Sequence, residues 1–138
     1  MRDKVLVIDD EPNLLKILTA LLERKGYEVF AFSGFDDALP TLNTEDLDVV
    51  VTDLSMPNKT GMDVLTYCKG YSPDLPVVMI TAFGTVEAAV AALKAGAFDF
   101  VLKPFDQDNL FRIIEKAIQS RRRRKREPAL EMMSAIGI

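Results

Sequence analysis

The sequence predicts an α/β domain in which helices cover both faces of one parallel sheet. Two observations predict this class. Short runs rich in valine and leucine alternate five times with segments whose apolar residues recur at helical spacing, and the stretches between them carry turn residues. Strands that alternate with helices of this length are joined by right-handed crossovers into a parallel sheet. With 138 residues, 49% of them apolar, the chain is long enough for one domain with a real core and a short appendage.

The chain opens with a predicted strand, helix and strand. Lys4–Asp9 is rich in valine and leucine, which is typical of a strand buried on both faces. Leucines then recur at helical spacing through Pro12–Lys25. A proline suits the first helical turn, and Gly26 suits the position just past the last. Tyr27–Phe32 alternates as a strand does.

The middle of the chain predicts a second helix, a third strand, a loop and a third helix. Phe35–Leu42 is a weaker helix because Pro40 lies inside it. Asp48–Asp53 is a strand made largely of valine. Ser55–Gly61 contains proline, asparagine and glycine and is therefore a loop. Met62–Lys69 is the helix that follows it.

Two more strand and helix pairs complete the predicted domain. Pro76–Thr81 is an apolar strand, and the alanine-rich helix Val86–Ala95 is stopped by Gly96. Phe98–Leu102 is the fifth strand, and Asn109–Ser120 is a helix with one apolar face. The sequence therefore predicts a three-layer, doubly wound (βα)5 parallel sheet of the flavodoxin-like kind.

Composition excludes several kinds of site and indicates a cellular setting. The chain has no histidine, so histidine metal ligands and histidine acid–base catalysis are excluded. Cys68 is the one cysteine and cannot form an internal disulfide, which fits a reducing cytosol. No apolar run approaches the ~18 residues of a transmembrane helix, and the start is too polar for a secretory signal. We therefore expect a cytoplasmic protein that does not contact a membrane.

Charge divides the chain into two parts. Residues 1–120 contain 11 basic and 19 acidic residues, whereas residues 121–138 contain six basic and two acidic residues. An acidic body repels nucleic acid and suits a hard cation. We interpret residues 1–120 as the domain and residues 121–138 as a basic linker or helix extension toward an output domain absent from this chain. A nucleic-acid patch is the alternative for the basic run Arg121–Arg126. Pro128 predicts that the last helix ends near Glu127.

Polar side chains stand at the ends of four of the five predicted strands. The first strand ends in Asp9 and Asp10, the third in Asp53, the fourth in Thr81 and the fifth in Lys103. In doubly wound sheets, ligands bind outside the carboxyl ends of the strands. We therefore expect these five side chains to line one crevice.

These residue types together predict a magnesium and phosphoryl site. Crowded carboxylates repel one another unless a cation lies between them, and Mg²⁺ takes oxygen ligands. We expect Asp10 and Asp53 to bind the ion directly and Asp9 to act through a water or an indirect contact. A carboxylate can accept a phosphoryl group, and Asp53 stands alone at the end of a central strand. Lys103 would then pair with one phosphoryl oxygen, and the Thr81 hydroxyl would donate to another.

Each of these residues also has an ordinary explanation. Two acidic residues after a strand commonly cap a helix or lie in a solvated turn, and Asp53 also suits a cap. Thr81 alone is a usual strand residue, and Lys103 before a proline is a usual surface lysine. Phe100 is a core residue by default, with a mobile aromatic as the alternative. The joint placement at four strand ends is what favours the site.

Taken together, these residues resemble the receiver domains of two-component response regulators. The resemblance covers residues 4 to about 120. It rests on four stretches in matching order and spacing: Val5-Leu6-Val7-Ile8-Asp9-Asp10-Glu11, Val50-Val51-Thr52-Asp53-Leu54-Ser55-Met56-Pro57, Val78-Met79-Ile80-Thr81-Ala82 and Leu102-Lys103-Pro104-Phe105. Residues 81–85 and 96–100 look most like receivers of sigma-54-dependent activators of the nitrogen-regulatory type, which carry an ATPase domain and a DNA-binding domain after the receiver.

The resemblance implies roles that spacing does not show. A histidine of a sensor kinase would phosphorylate Asp53, and Mg²⁺ would be bound by Asp10, Asp53 and the backbone carbonyl of Ser55. Thr81 and Phe100 would form a switch pair, in which Thr81 moves toward the phosphoryl group and Phe100 turns inward.

The resemblance also bears on two backbone features. Lys103 would bridge to the phosphoryl group through a bond to Pro104 that is usually cis in the family, although most such bonds in proteins are trans. Asn58 stands where a glycine is common, which makes the loop conformation there less certain, although asparagine tolerates a left-handed backbone.

The predicted function is a phosphorylation-driven switch in a two-component phosphorelay, not an enzyme acting on external substrates. The surface expected to change comprises helix Val86–Ala95, strand Phe98–Leu102 and helix Asn109–Ser120. It would regulate an output domain with a transcriptional role or mediate a homodimer, and the domain itself would not bind nucleic acid.

Three other functions use the same fold. An aspartate-nucleophile phosphatase usually has a second acid two residues after the nucleophile, where this chain has Ser55. A flavin or nucleotide binder needs a phosphate cradle after the first strand, where Asp10 and Glu11 repel phosphate in the absence of a metal. A scaffold that has lost the chemistry would not need the complete residue set.

Overall fold

One sheet of five parallel strands forms the centre of the molecule, in the order β2-β1-β3-β4-β5. A computed structural model describes residues 2–82, 86–135 and 137 of the chain. The strands are β1 (Lys4–Ile8), β2 (Glu28–Phe32), β3 (Val49–Asp53), β4 (Val77–Ala82) and β5 (Asp99–Lys103). The predicted strand that ends in Asp53 is therefore central, with two strands on either side.

Five helices connect and follow the strands, as the sequence predicts. They are α1 (Pro12–Arg24), α2 (Phe35–Thr44), α3 (Gly61–Tyr71), α4 (Val86–Lys94) and α5 (Gln107–Ala135). Local chemistry sets several of their ends. Pro12 opens α1, and Gly26 follows it with φ of 103°. The N–H of Thr60, just before α3, donates to the carboxylate of Asp63 at 2.8 Å.

The helices lie on both faces of the sheet and produce two cores. On one face, the side chains of Leu6, Ile8 and Met79 pack with residues of α2, α3 and α4. On the other face, Val7, Val51 and Ile80 pack with residues of α1 and α5. The two faces confirm the predicted three-layer, flavodoxin-like fold. Cys68 lies fully buried in the first core, where burial raises the pKa of its thiol to about 12, so it is a packing residue.

Pro40 and Pro128 both lie inside helices. The prediction that the last helix ends near Glu127 is wrong, because α5 continues to Ala135. Proline has the φ of a helical residue, so its cost is one missing backbone hydrogen bond and crowding of the carbonyl four residues earlier. The helix spans 29 residues and extends on both sides of Pro128.

Some sequence features fall where the chain is not described. Residues 83–85, which carry part of the likeness to one subclass of receivers, lie outside the described residues, as do residues 136 and 138 of the predicted linker. Among the helices that the structure describes, none has the length and apolar character needed to span a membrane.

Candidate functional site

The carboxyl edge of the sheet brings the predicted site residues together. Asp9 directly follows β1, and its N–H donates to the carbonyl of Phe32 at 3.1 Å, which keeps it in line with the sheet. Asp53 is the last residue of β3 and Lys103 the last of β5. Because all five strands are parallel, these ends meet at one edge.

Three carboxylates converge at this edge. One oxygen each of Asp9, Asp10 and Asp53 lies within 4.8 Å of the other two. Asp9 is fully buried and Asp53 is 5% exposed, whereas Asp10 is exposed. The cluster is therefore open to solvent on the side of Asp10.

Backbone amides hold two of these carboxylates in place. The N–H of Glu11 donates to Oδ1 of Asp9 at 2.8 Å, and the N–H of Ser55 donates to Oδ1 of Asp53 at 3.0 Å. In both cases the carboxylate accepts the N–H of the residue two positions later in the chain. This hydrogen bond defines a local turn that aspartate favours. The Oδ2 atoms are left to face the interior of the site.

Lys103 connects the two buried carboxylates. Its Nζ donates to Oδ2 of Asp53 at 3.0 Å and lies 3.4 Å from Oδ2 of Asp9. Burial lowers the pKa of Lys103, but the hydrogen bond and charge of Asp53, together with the charge of Asp9, outweigh it and hold the pKa above its usual value. The Lys103-Pro104 bond is cis, as the resemblance implies.

The donor set fits a hard divalent cation. Oδ2 of Asp9 is buried and accepts no hydrogen bond from the residues that the structure describes. Burial raises the pKa of the Asp9 carboxyl, and the nearby charge of Asp53 adds to this, against the opposing effects of the Glu11 N–H and Lys103. The ammonium group of Lys103 thus lies against two buried carboxylates, and the exposed carboxylate of Asp10 lies beside them. Carboxylate oxygens are the ligands that Mg²⁺ prefers, so a cation bound here would balance the remaining negative charge.

Thr81 and Phe100 lie on neighbouring strands beside this edge. Thr81 is 1% exposed, and it follows Ile80, the residue that pairs with Asp53 in the sheet. Phe100 pairs with Met79, two residues before Thr81, so strand alternation places Thr81 and Phe100 on the same face. Phe100 is half-buried against the core of that face. Both structural placements match the sequence expectation; the switch role stays a proposal.

Gly61, which the sequence marks only as part of a loop, lies directly against the loop that follows β3. Its N–H donates to the carbonyl of Leu54 at 3.0 Å. A Cβ on Gly61 would lie 2.6 Å from the carbonyl oxygen of Asp53 and 2.8 Å from Cα of Leu54, both backbone atoms. Only glycine allows α3 to start this close to the end of β3. The glycine was visible in the sequence as a loop marker, but nothing local indicated what it packs against.

Asn58 lies in the same loop with φ of 68°. This is the left-handed region, which asparagine enters more readily than other non-glycine residues. The substitution of the common glycine is therefore compatible with the backbone that the loop adopts.

Comparison with known proteins identifies the family to which this fold belongs. Residues 5–115 match the family described as the response regulator receiver domain. The chain belongs to this family, and it is thus a signalling domain of the two-component system. This membership confirms the resemblance to receiver domains that the sequence indicated.

The relatives also confirm the likeness to receivers of nitrogen-regulatory, sigma-54-type activators. The transcriptional regulatory protein ZraR of Salmonella typhimurium is 41% identical over 132 residues, which are 95% of this chain and 29% of ZraR. The response regulator protein PilR of Pseudomonas aeruginosa is 37% identical over 120 residues, which are 87% of this chain and 27% of PilR. The chain thus spans less than a third of the length of these two regulators.

Two solved structures have the same fold as this chain. A response regulator receiver domain from Clostridium thermocellum has a TM-score of 0.82 and 38% identity, covering 87% of this chain and 97% of that one. The structure of NtrX from Brucella abortus in complex with ATP has a TM-score of 0.89 and 32% identity, covering 94% of this chain and 30% of that one.

Proposed function

We propose that this domain accepts a phosphoryl group on Asp53 from a histidine of a sensor kinase, with Mg²⁺ bound beside it, and works as a switch. The observation that carries the proposal is the bridge of Lys103 between Oδ2 of Asp53 and Oδ2 of Asp9, the latter buried and without a hydrogen bond among the described residues. A cation between two acids is suited to neutralise the added charge of a phosphoryl group.

The transfer needs no protein base at the acceptor. An oxygen of Asp53 forms a bond to phosphorus as the phosphorus–nitrogen bond of the kinase phosphohistidine breaks, and the leaving imidazole takes the electron pair. Asp10, Asp53 and the backbone carbonyl of Ser55 would hold Mg²⁺, with Asp9 acting indirectly; the ion supplies charge neutralisation for the phosphoryl oxygens. The Ser55 N–H at 3.0 Å and Lys103 at 3.0 Å orient the Asp53 carboxylate for this reaction.

The phosphoryl group would change the populations of two conformations. Thr81 would donate its hydroxyl to a phosphoryl oxygen in one state only, and Phe100, its diagonal neighbour on the same face, would turn inward in that state. Only such a difference in contacts can shift the equilibrium. The changing surface would be that of α4, β5 and α5.

Exposed apolar residues on α4 and β5 support this assignment of the surface. Val86 is 44% exposed, Val90 40%, and Leu93 and Leu102 36% each. A partner, either an output domain or a second copy of this chain, would cover such side chains. ZraR, named above, is a transcriptional regulatory protein, and residues 121–138 would join the domain to a transcriptional output. We place the switch in the cytoplasm, without nucleic-acid contact by the domain itself.

The proposal is tested by intact mass after incubation with acetyl phosphate. With Mg²⁺ present, we expect a gain of the mass of one phosphoryl group; with a chelator in place of Mg²⁺, we expect none. Asp10→Asn should strongly reduce the labelling obtained with Mg²⁺, whereas Asp37→Asn, an exposed acid on α2, should behave as the unmodified chain does. Labelling that proceeds equally well with the chelator would contradict the proposal.

A further inference from the structure

The basic run after the domain is partly buried, contrary to the solvated linker that its composition suggests. Arg121, the first of six consecutive basic residues, is 6% exposed. Its guanidinium donates to Oδ1 of Asp46 from Nη2 at 2.7 Å and to Oδ1 of Asp48 from Nη1 at 3.2 Å. These two acids lie 73 and 75 residues earlier in the chain, in the segment that precedes β3.

Two more residues of the run pair with the same part of the molecule. Arg122 forms an ion pair with Asp3, and Nζ of Lys125 lies 3.5 Å from Oδ1 of Asp46. Asp3, Asp46 and Asp48 precede β1 and β3, so they form an acidic edge at the amino ends of the strands. This edge lies opposite the candidate phosphoryl site. Arg123 and Arg124 are exposed and pair with no described carboxylate.

The acidic edge is preorganised to hold cations. Oδ2 of Asp48 accepts the backbone N–H of Lys4 at 2.7 Å, which fixes this carboxylate beside the sheet. The hydrogen bond from Arg121 holds the pKa of Asp46 below its usual value, with smaller contributions from the charge of Lys125. Each Nη atom of one guanidinium therefore donates to a different carboxylate, so the single positive charge of Arg121 is shared between two acids.

Contact with the acidic edge reduces electrostatic repulsion within helix α5. Like charges three and four residues apart on a helix repel each other, and the run places Arg121 next to Arg124 and Lys125, and Arg122 next to Lys125. Pro128 removes one more backbone hydrogen bond a turn later. The helix nevertheless continues without a break from Gln107 to Ala135. Neutralisation of Arg121, Arg122 and Lys125 offsets that repulsion.

We propose that the acidic edge is a docking site for the basic run, and that docking keeps α5 helical beyond the sheet and sets the direction in which it leaves. This goes beyond the proposed switch and does not depend on it. It also assigns half of the basic run to an intramolecular contact rather than to nucleic acid. Helix α5 starts four residues after Lys103 at one edge of the sheet and is fixed at the opposite edge by Arg121. It therefore runs from the side of the candidate phosphoryl site to the far side of the domain as one continuous helix.

Hydrogen exchange of the whole chain, followed by mass spectrometry, tests the docking. The variant Asp46→Asn removes the acid that pairs with both Arg121 and Lys125, and its side chain is 76% exposed, so the fold does not depend on it. We expect exchange of amides 121–127 to accelerate at least about fivefold, while amides of β3 and β4 keep their rates. Arg121→Met should act in the same direction, because it removes the cation that both Asp46 and Asp48 bind.

Glu23→Gln serves as the control, because Glu23 is an exposed acid whose side chain pairs with no described residue. It changes the net charge by the same amount and should leave exchange of amides 121–127 unchanged. If Asp46→Asn and Glu23→Gln gave the same rates in this segment, the helix would persist without the acidic edge and the proposal would be overturned. Equal acceleration throughout the domain would also overturn it, since that result indicates global destabilisation.

Discussion

Nζ of Lys103 lies 3.0 Å from Oδ2 of Asp53, and the two residues end strands that are separated in the sheet by β4. The ion pair is largely shielded, because the Lys103 side chain is 21% exposed and that of Asp53 7%. The same ammonium group lies 3.4 Å from Asp9. One lysine therefore compensates a cluster of acids that would otherwise repel one another.

Replacement of Lys103 tests this compensation. Without Mg²⁺, Lys103→Met should lower the free energy of unfolding by about 1–3 kcal/mol, because buried carboxylates lose their only nearby cation among the described residues. Mg²⁺ should restore more stability to this variant than to the unmodified chain. Urea denaturation with and without Mg²⁺ measures both quantities.

Lys59→Met is the matched control for that experiment. Lys59 pairs with Asp36 at 2.8 Å, but both side chains are exposed, so the change should cost far less than Lys103→Met does and should not depend on Mg²⁺. Similar losses in the two variants would mean that Lys103 is an ordinary surface lysine.

The two glycines of α3 should respond in opposite ways to alanine. Gly61→Ala places a Cβ against the backbone of Asp53 and Leu54, so we expect a loss of about 2–4 kcal/mol and weaker labelling of Asp53. Gly70→Ala meets open space inside the same helix and should stabilise it by about 0.5–1 kcal/mol. Thermal unfolding compares them, and equal effects would exclude a special role for Gly61.

The backbone of Asn58 predicts which replacements its loop accepts. Asn58→Gly should retain or slightly raise the free energy of unfolding, since glycine adopts φ of 68° without strain. Asn58→Val should lower it by about 1–2 kcal/mol, because a β-branched residue is strained in that region. Chemical denaturation measures the difference, and equal stability of the two variants would show that the loop adopts another conformation in solution.

Asp46 should contribute a recognisable acid dependence to stability. A carboxyl whose pKa is lower in the folded chain stabilises it above its unfolded pKa of about 3.9, and this contribution is lost as pH falls through the folded value. The difference in the free energy of unfolding between the unmodified chain and Asp46→Asn should therefore reach its full value at about pH 6 and decline below about pH 4. A difference that stays constant over this range would argue against the pairing with Arg121.

The order of the elements was predictable because period and turn residues are local properties of the sequence. The valine runs of β1 and β3 and the leucine spacing of α1 indicated their conformations directly. Asp53 could be placed beside the other site residues because strand ends in a parallel sheet meet at one edge. The convergence of Asp9, Asp10 and Asp53 followed from the same rule.

Contacts between distant residues were not predictable in this way. The pairing of Arg121 with Asp46 and Asp48 joins segments more than 70 residues apart, and a run of six basic residues looks the same whether solvated or docked. The close approach of Gly61 to Asp53 depends on how α3 meets β3 in space. The continuation of α5 through Pro128 was missed because the local rule treats the hydrogen bond that proline lacks as the end of a helix, whereas α5 continues to Ala135.

The position of the label tests the central claim most directly. After reaction with acetyl phosphate and Mg²⁺, the chain is digested with a protease and the peptide that carries the phosphoryl group is located by mass spectrometry. We predict that the label lies on Asp53 and that Asp53→Asn carries none, while its Mg²⁺-free stability remains comparable. A label on any other residue, or equal labelling of Asp53→Asn, would contradict the account.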